Sequence, residues 1–201
     1  MIARLRGFYA VLDREDEALA RALVSVARVL QVRLKSASAA DVVRVARMAR
    51  RICDEVGAAL VINDRVDLAL ACGADGVHLG QTDLPISAAR RLAGERLWIG
   101  VSTHDLSQVE RAVAAGADYL GFGPVFVTTT KQNPDPVQGL EGLRAAVRAA
   151  QSTPVVAIGG ITAMQVAKVY AAGATAICAI SAVNAARDIV AAGRALGRIT
   201  P

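Results

Sequence analysis

Val61-Ile62-Asn63-Asp64-Arg65 and, after a helical stretch, Gly76-Val77-His78-Leu79-Gly80-Gln81-Thr82-Asp83-Leu84-Pro85 are the residues on which the reading of this chain turns. Each begins as a short apolar run and stops at polar residues. Residues 66–71 between them have helical character and are closed by Cys72-Gly73. The pattern predicts a βαβ unit, whose two strands are parallel neighbours with their carboxyl ends at one edge. Asp64 and Asp83 each follow a strand end there, so the topology puts them side by side. Two carboxylates at the mouth of a parallel sheet suit a hard divalent cation such as Mg²⁺. They are equally accounted for as solvated loop carboxylates, one of them capping a helix.

The same alternation runs outward in both directions. Strands are expected over residues 8–12, 29–33, 59–62, 77–79, 97–101, 119–122, 154–158 and 175–180. Helices are expected over 16–27, 39–55, 66–71, 87–92, 105–115 and 140–151, then one closing at Gly173 and a last one from Ser181. Val56-Gly57-Ala58, Cys72-Gly73-Ala74, Ala115-Gly116-Ala117 and Ala172-Gly173-Ala174 recur, each with glycine ending a helix just before a strand. Eight strand–helix pairs in 201 residues predict a single-domain (β/α)₈ barrel, an all-parallel closed sheet spanning residues 1–201. An open doubly wound sheet is the alternative, but no glycine fingerprint follows the first strand, where a dinucleotide fold would carry it.

Composition agrees. Hydrophobic residues are 54% and charged residues 20%, enough apolar material for a large core and too little net charge for disorder. Aromatics are only 3%, so the core is expected to rest on Ala, Val, Leu and Ile. The net charge of +5 is spread along helices without a basic run or a stacking set, which argues against a nucleic-acid surface. Cys53, Cys72 and Cys178 are expected to be buried free thiols. Met1-Ile2-Ala3-Arg4-Leu5-Arg6 leads straight into a strand, and the apolar runs are too short for a bilayer span. A cytoplasmic protein without membrane contact is the expectation.

In such a barrel the site lies at the carboxyl ends of the strands. Gln31, Arg33, Lys35, Asn63, Asp64, Gln81, Asp83, Ser102, Thr128, Thr130, Lys131, Gly160 and Ser181 all fall there. Alternation puts Gln31, Arg33 and Lys35 on one face. Gly159-Gly160 and Ile180-Ser181 each lead into a helix, where backbone N–H groups hold phosphate and glycine permits close approach; a turn needing glycine for its backbone alone is the alternative, and Ser181 opposite favours phosphate. Arg33, Lys35 and Lys131 form a second cationic group, better suited to a diphosphate than to a carboxylate. His78 is expected to pack between strand and helix, and His104 to serve at a helix start. No Ser–His–Asp or Cys–His set is evident, so nucleophilic hydrolysis is not indicated.

Taken together, Gln31-x-Arg33-x-Lys35, Ile62-Asn63-Asp64-Arg65, Gly76-Val77-His78-Leu79-Gly80-Gln81-x-Asp83-Leu84, Gly100-Val101-Ser102-Thr103-His104, Gly121-Phe122-Gly123-Pro124-Val125-Phe126-x-Thr128-x-Thr130-Lys131, Gly159-Gly160-Ile161 and Ile180-Ser181 resemble the thiamine-phosphate synthase family. The likeness runs in register from about residue 8 to 195, with Val127 standing where the family often has proline. It implies a transferase that condenses hydroxymethylpyrimidine diphosphate with a thiazole phosphate and releases diphosphate, by a dissociative substitution. The same resemblance implies that Gln31, Arg33, Lys35 and Asn63 hold the pyrimidine diphosphate, with Ser102 and Lys131 completing its clamp. Catalysis would rest on Arg33, Lys35, Ser102 and Lys131, while Asp64 and Asp83 would bind Mg²⁺. Thr128, Thr130, Gly160, Ile180 and Ser181 would hold the thiazole phosphate. The partners implied are these small molecules, and a homo-oligomer is compatible with the likeness. A thiazole tautomerase of the same barrel is the alternative, but that branch places a histidine where this chain has Pro124. A non-catalytic thiazole-phosphate binder would have no use for a diphosphate clamp.

Overall fold

The computed structural model describes residues 4–128 and 135–197. Its strands are β1 (Gly7–Leu12), β2 (Val29–Val32), β3 (Ala59–Asn63), β4 (Gly76–Leu79), β5 (Trp98–Thr103), β6 (Tyr119–Phe122), β7 (Val155–Ile158) and β8 (Ala176–Cys178). All pair in parallel, in sequence order, and β8 returns to β1 through Gly7–Ala176, Phe8–Ile177 and Tyr9–Cys178, so the sheet is a closed barrel. The helices are α1 (Glu17–Val24), α2 (Ala39–Val56), α3 (Val66–Ala71), α4 (Ile86–Ala93), α5 (Leu106–Ala114), α6 (Gly139–Ala150), α7 (Val166–Ala171), α8 (Ser181–Asn184) and α9 (Ile189–Leu196). The open sheet is thereby excluded. Among the described residues no helix is long and apolar enough to cross a membrane.

Local chemistry sets the element ends. Asp16, Ser38, Asp105 and Asp188 cap α1, α2, α5 and α9, each accepting a backbone N–H from the first turn. Gly57 ends α2 in the left-handed conformation, as the Gly-Ala repeat predicts. Several boundaries differ from the sequence expectation by one to three residues, two of them with consequences. The last helix is split into α8 and α9, because Asp188 accepts from Ala191 and restarts the helix. Strand β2 stops at Val32, so Arg33 and Lys35 lie on its exit loop rather than in the ladder.

Strand alternation sorts the core into two compartments. Phe8, Ala10, Leu12, Leu30, Leu60, Ile62, Val77, Leu79, Ile99, Leu120 and Ile177 face outward and pack under the helices. Leu5, Tyr9, Val11, Val29, Val61, Trp98, Tyr119, Val156 and Cys178 fill the lumen. The outer layer is the aliphatic core that composition predicts; the lumen is not, since much of its bulk is Trp98, Tyr9 and Tyr119. Room for those rings comes from glycine on the neighbouring strand. A Cβ on Gly76 would lie 3.0 Å from the Trp98 carbonyl oxygen, and one on Gly100 would lie 2.0 Å from Tyr119 Cζ.

The amino-terminal end of the barrel is tied by a repeated device. Asp75, just before β4, accepts the Leu60 N–H of β3 and the Arg50 guanidinium at 2.6 Å. Asp118, just before β6, accepts the Ile99 N–H of β5 and the Arg90 guanidinium at 2.6 Å. Thr175, before β8, accepts the Val155 N–H of β7 at 3.3 Å. Each ties a strand start to the strand before it, far from the carboxyl-end mouth. Asp118→Ala strands a partly buried arginine and a ladder-edge N–H, which should cost about 2–3 kcal/mol. Thermal unfolding should then fall by about 5–10 °C, with the kinetic constants unaltered.

Candidate active site

Four strand exits bring the site together at the carboxyl-terminal rim. Asp64 follows β3 with φ 64°, held there by its N–H donating to the His78 carbonyl at 2.7 Å. That left-handed conformation is one that Asp tolerates better than bulky residues do. Asp83 sits on the exit of β4, where Oδ2 accepts the Gly80 N–H at 2.6 Å. The two carboxyl groups touch by a side-chain hydrogen bond, as the βαβ reading requires. The Asp64 acid is pushed up to about 6, first by desolvation, then by the hydrogen bond and like charge of Asp83; Arg33 and Asn63 oppose the shift. Among the described residues no cluster of three His, Cys, Asp or Glu is assembled. Two hard oxygen donors whose like charges are unresolved between them suit a cation that takes its remaining ligands from substrate and water, as Mg²⁺ does.

Arg33 faces this pair across the mouth: its positive charge lowers the pKa of Asp64, His78 and Cys178 alike. Lys35 is exposed on the same exit loop. Gln31, only 4% exposed, points into the lumen and not to the rim. Ser102 ends β5 on the inner face, and the Gln81 side-chain amide donates to its carbonyl at 2.5 Å. Ile158 and Ile180 line the lumen beside Cys178. The thiol of Cys178 is pushed up to about 12, chiefly by burial, and Cys53 and Cys72 are likewise buried and free. Thr128 and Ser181 take part in contacts at the rim, whereas Thr130 and Lys131 lie outside the described residues.

Gly159 and Gly160 have a backbone reason for being glycine. Both have positive φ, and a Cβ on Gly160 would fall 2.2 Å from the Val127 carbonyl oxygen. The exit of β6 runs directly over them, with Val125 N–H donating to Ile158 and Phe126 N–H to Gly159. A side chain at Gly160 therefore displaces the loop after β6 before it meets any ligand, and a selective loss of phosphate affinity is not the expected outcome of Gly160→Val.

His78 is a correction to the sequence reading. Val77 and Leu79 point out to the helices, so His78 points inward. Its Nδ1 lies 3.1 Å from Tyr119 Oη and its Nε2 lies 3.0 Å from Ser102 Oγ. Tyr119 Oη is 2.9 Å from Tyr9 Oη, which accepts from Gln31 Nε2 at 2.9 Å. Gln31 and Ser102, singled out separately in the sequence, are the two ends of one buried chain. Tyr9, Tyr119 and His78 were missed as site residues; the alternation within β4, read from its two outward aliphatics, was the signal that could have found the histidine. His104 does not act as a cap: Asp105 does, while the His104 ring binds the Gly123 carbonyl at 2.6 Å and steadies the loop after β6. Asn184, also unanticipated, donates to the Val11 carbonyl at 3.0 Å and ties α8 to the exit of β1.

Residues 8–183 match the family model described as thiamine monophosphate synthase. The chain is 50% identical over 175 residues to a thiamine-phosphate synthase of Chloroflexus aurantiacus, covering 87% of this chain and 80% of that protein. It is 49% identical over 167 residues to one of Methanoregula boonei, covering 83% and 77%. Among solved structures, a thiamine phosphate pyrophosphorylase from Pyrococcus furiosus superposes with a TM-score of 0.88 at 37% identity, covering 98% of this chain and 96% of that one.

The Asp64–Asp83 pair predicts a titration with a definite sign. Asp64 has its pKa raised above the unfolded value, so the folded chain holds a proton that the unfolded chain has lost between about pH 4 and 6. Stability contributed by this group should fall as pH rises through that window and be fully present below it. Carboxyl-carbon NMR should show Asp64 titrating near 6. In Asp83→Asn, which removes the like charge, the midpoint should drop towards the ordinary carboxylate range while retaining the part that desolvation causes.

Proposed function

This chain belongs to the thiamine monophosphate synthase family, and on that premise we propose that it condenses 4-amino-2-methyl-5-hydroxymethylpyrimidine diphosphate with a hydroxyethylthiazole phosphate, carboxylated or not, to give thiamine phosphate and diphosphate. The observation that carries this reading is the meeting of one carboxylate pair, one arginine and one serine hydroxyl from four separate strand exits over a closed lumen. That set is a divalent-cation seat next to an anion clamp, and it suits departure of a diphosphate.

The chemistry breaks the bond between the pyrimidine methylene carbon and the diphosphate oxygen, and makes a bond from that carbon to the thiazole nitrogen. The electron-rich aminopyrimidine carries the positive charge between the two events, so no general base is called for. Arg33 and Lys35, with Lys131, would hold the diphosphate and oppose the charge that develops as it leaves. Ser102 would donate one hydrogen bond to the same group. Asp64 and Asp83 would hold Mg²⁺, which when bound supplies charge neutralisation to the leaving oxygens. Asn63 sits beside this pair at the end of β3. On the other side of the mouth, Thr128, Thr130, Gly160, Ile180 and Ser181 would receive the thiazole phosphate, whose placement against the cation is the rest of catalysis. The buried wall of Tyr9, Ile158, Cys178 and Ile180 keeps water from the reacting carbon. Pro124 carries no transferable proton, which weighs against the tautomerase alternative. We place the enzyme in the cytoplasm and keep a homo-oligomer within the proposal.

Purified protein given both substrates and Mg²⁺ should form thiamine phosphate. Asp64→Asn and Asp83→Asn should each slow turnover by roughly a hundredfold or more, the loss of part of the metal's contribution. Undiminished turnover in excess chelator, or isomerisation of a thiazole substrate without the pyrimidine diphosphate, would overturn the reading.

A further inference from the structure

The buried chain Gln31–Tyr9–Tyr119–His78–Ser102 has a direction, and the direction follows from counting protons. The amide nitrogen of Gln31 can only donate, so Tyr9 Oη accepts at that end. Tyr9 has one proton, and its remaining partner is Tyr119 Oη at 2.9 Å. A buried hydroxyl left without an acceptor costs more than a normal hydrogen bond contributes, so Tyr9 donates to Tyr119. The proton of Tyr119 must then go to His78 Nδ1, 3.1 Å away.

An imidazole that accepts at Nδ1 carries its proton on Nε2 when neutral. A ring whose Nδ1 accepts a hydrogen bond cannot also carry a proton there, so the order of the hydrogen bonds itself makes the imidazole neutral. Nε2–H therefore donates to Ser102 Oγ at 3.0 Å. The proton of Ser102 is left over. It cannot point back at His78, and Ser102 stands next to the carboxyl end of β5, so it is left to serve an acceptor at the mouth. The reverse order, with Ser102 donating to His78, would leave the Tyr9 proton with no acceptor in this chain.

Sterics hold the rings to this arrangement. A Cβ on Gly100 would overlap Tyr119, and one on Gly121 would come within 3.1 Å of His78 Cε1. Tyr119 is 1% exposed, so water does not compete for its hydroxyl.

We propose that Tyr119 is a positioning residue: acting through His78, it fixes the Ser102 hydroxyl as a hydrogen-bond donor towards an anion at the barrel mouth. The role of that anion as the substrate diphosphate rests on the function proposed above; the order of the hydrogen bonds does not.

Nitrogen-15 NMR of histidine-labelled free protein tests the order directly. His78 should be the Nε2–H tautomer. In Tyr119→Phe the donor to Nδ1 is gone and nothing ties the ring proton to Nε2, so the single tautomer should give way to a mixture in which the Ser102 proton can turn to Nε2. Tyr9→Phe leaves Tyr119 able to donate, and should keep the Nε2–H form. In kinetics, Tyr119→Phe should raise KM for the pyrimidine diphosphate about tenfold or more, the loss of one hydrogen bond to a charged group. Adding Ser102→Ala to it should cost nothing further. An Nδ1–H tautomer in the parent protein, an unchanged tautomer in Tyr119→Phe, or additive effects of the two substitutions would overturn the proposal. If Tyr119→Phe does not fold, the tautomers of the parent and of Tyr9→Phe still decide the order. If the tautomer changes in this way while diphosphate binding is untouched in every variant, the role of Ser102 at the anion site is overturned and the hydrogen-bond order is upheld.

Discussion

A polar side chain buried in the lumen of a closed eight-stranded barrel is costly unless it finds a partner among its neighbours. In this protein five polar side chains meet that constraint by bonding in series from Gln31 to Ser102. A satisfied network in a low-dielectric interior is rigid, because breaking any one bond leaves a buried group unpaired. The site at the mouth inherits that rigidity. Ser102 stands on a floor whose rings can neither slide nor rotate, since Tyr119 lies over Gly100 and His78 against Gly121. Burial also raises the pKa of Tyr9 and Tyr119 far beyond the working range, so both remain neutral hydroxyl groups.

Charge is managed in opposite ways at the two ends of the barrel. At the amino-terminal end Arg50 meets Asp75 and Arg90 meets Asp118, each carboxylate also taking a strand N–H. Those pairs serve the fold. At the carboxyl-terminal end Asp64 is pressed against Asp83, and burial first, then that contact, raises its pKa. Leaving like charges together and partly desolvated is unfavourable to the free protein and favourable to a cation that joins them. The same division, stability below and chemistry above, is what the barrel architecture permits.

Much of this was legible in the chain. Helix caps, Gly-Ala stops and strand-length apolar runs are local signals, and they place eight strands and most of the helices within a residue or two. The convergence of Asp64 and Asp83 also follows from local signals, because a βαβ crossover has only one way to place its strand ends. What misled the reading was parity and contact. His78 looks like a packing residue until Val77 and Leu79 are assigned outward, and the need for glycine at 160 comes from the loop after β6 laid across it, which spacing along the chain does not reveal.

By itself, then, the order of residues determined the barrel, the end of it that carries polar side chains, and the carboxylate pair, since all three depend on spacing along one strand or one crossover. Only the tertiary structure decided how Gln31, Tyr9, Tyr119, His78 and Ser102 are joined. They come from five different strands, and the reach of one side chain to the next is set by stagger across the closed sheet and by the volumes that Gly100 and Gly121 leave open. No periodicity within a strand encodes those cross-barrel distances, because they exist only once the first and last strands have paired.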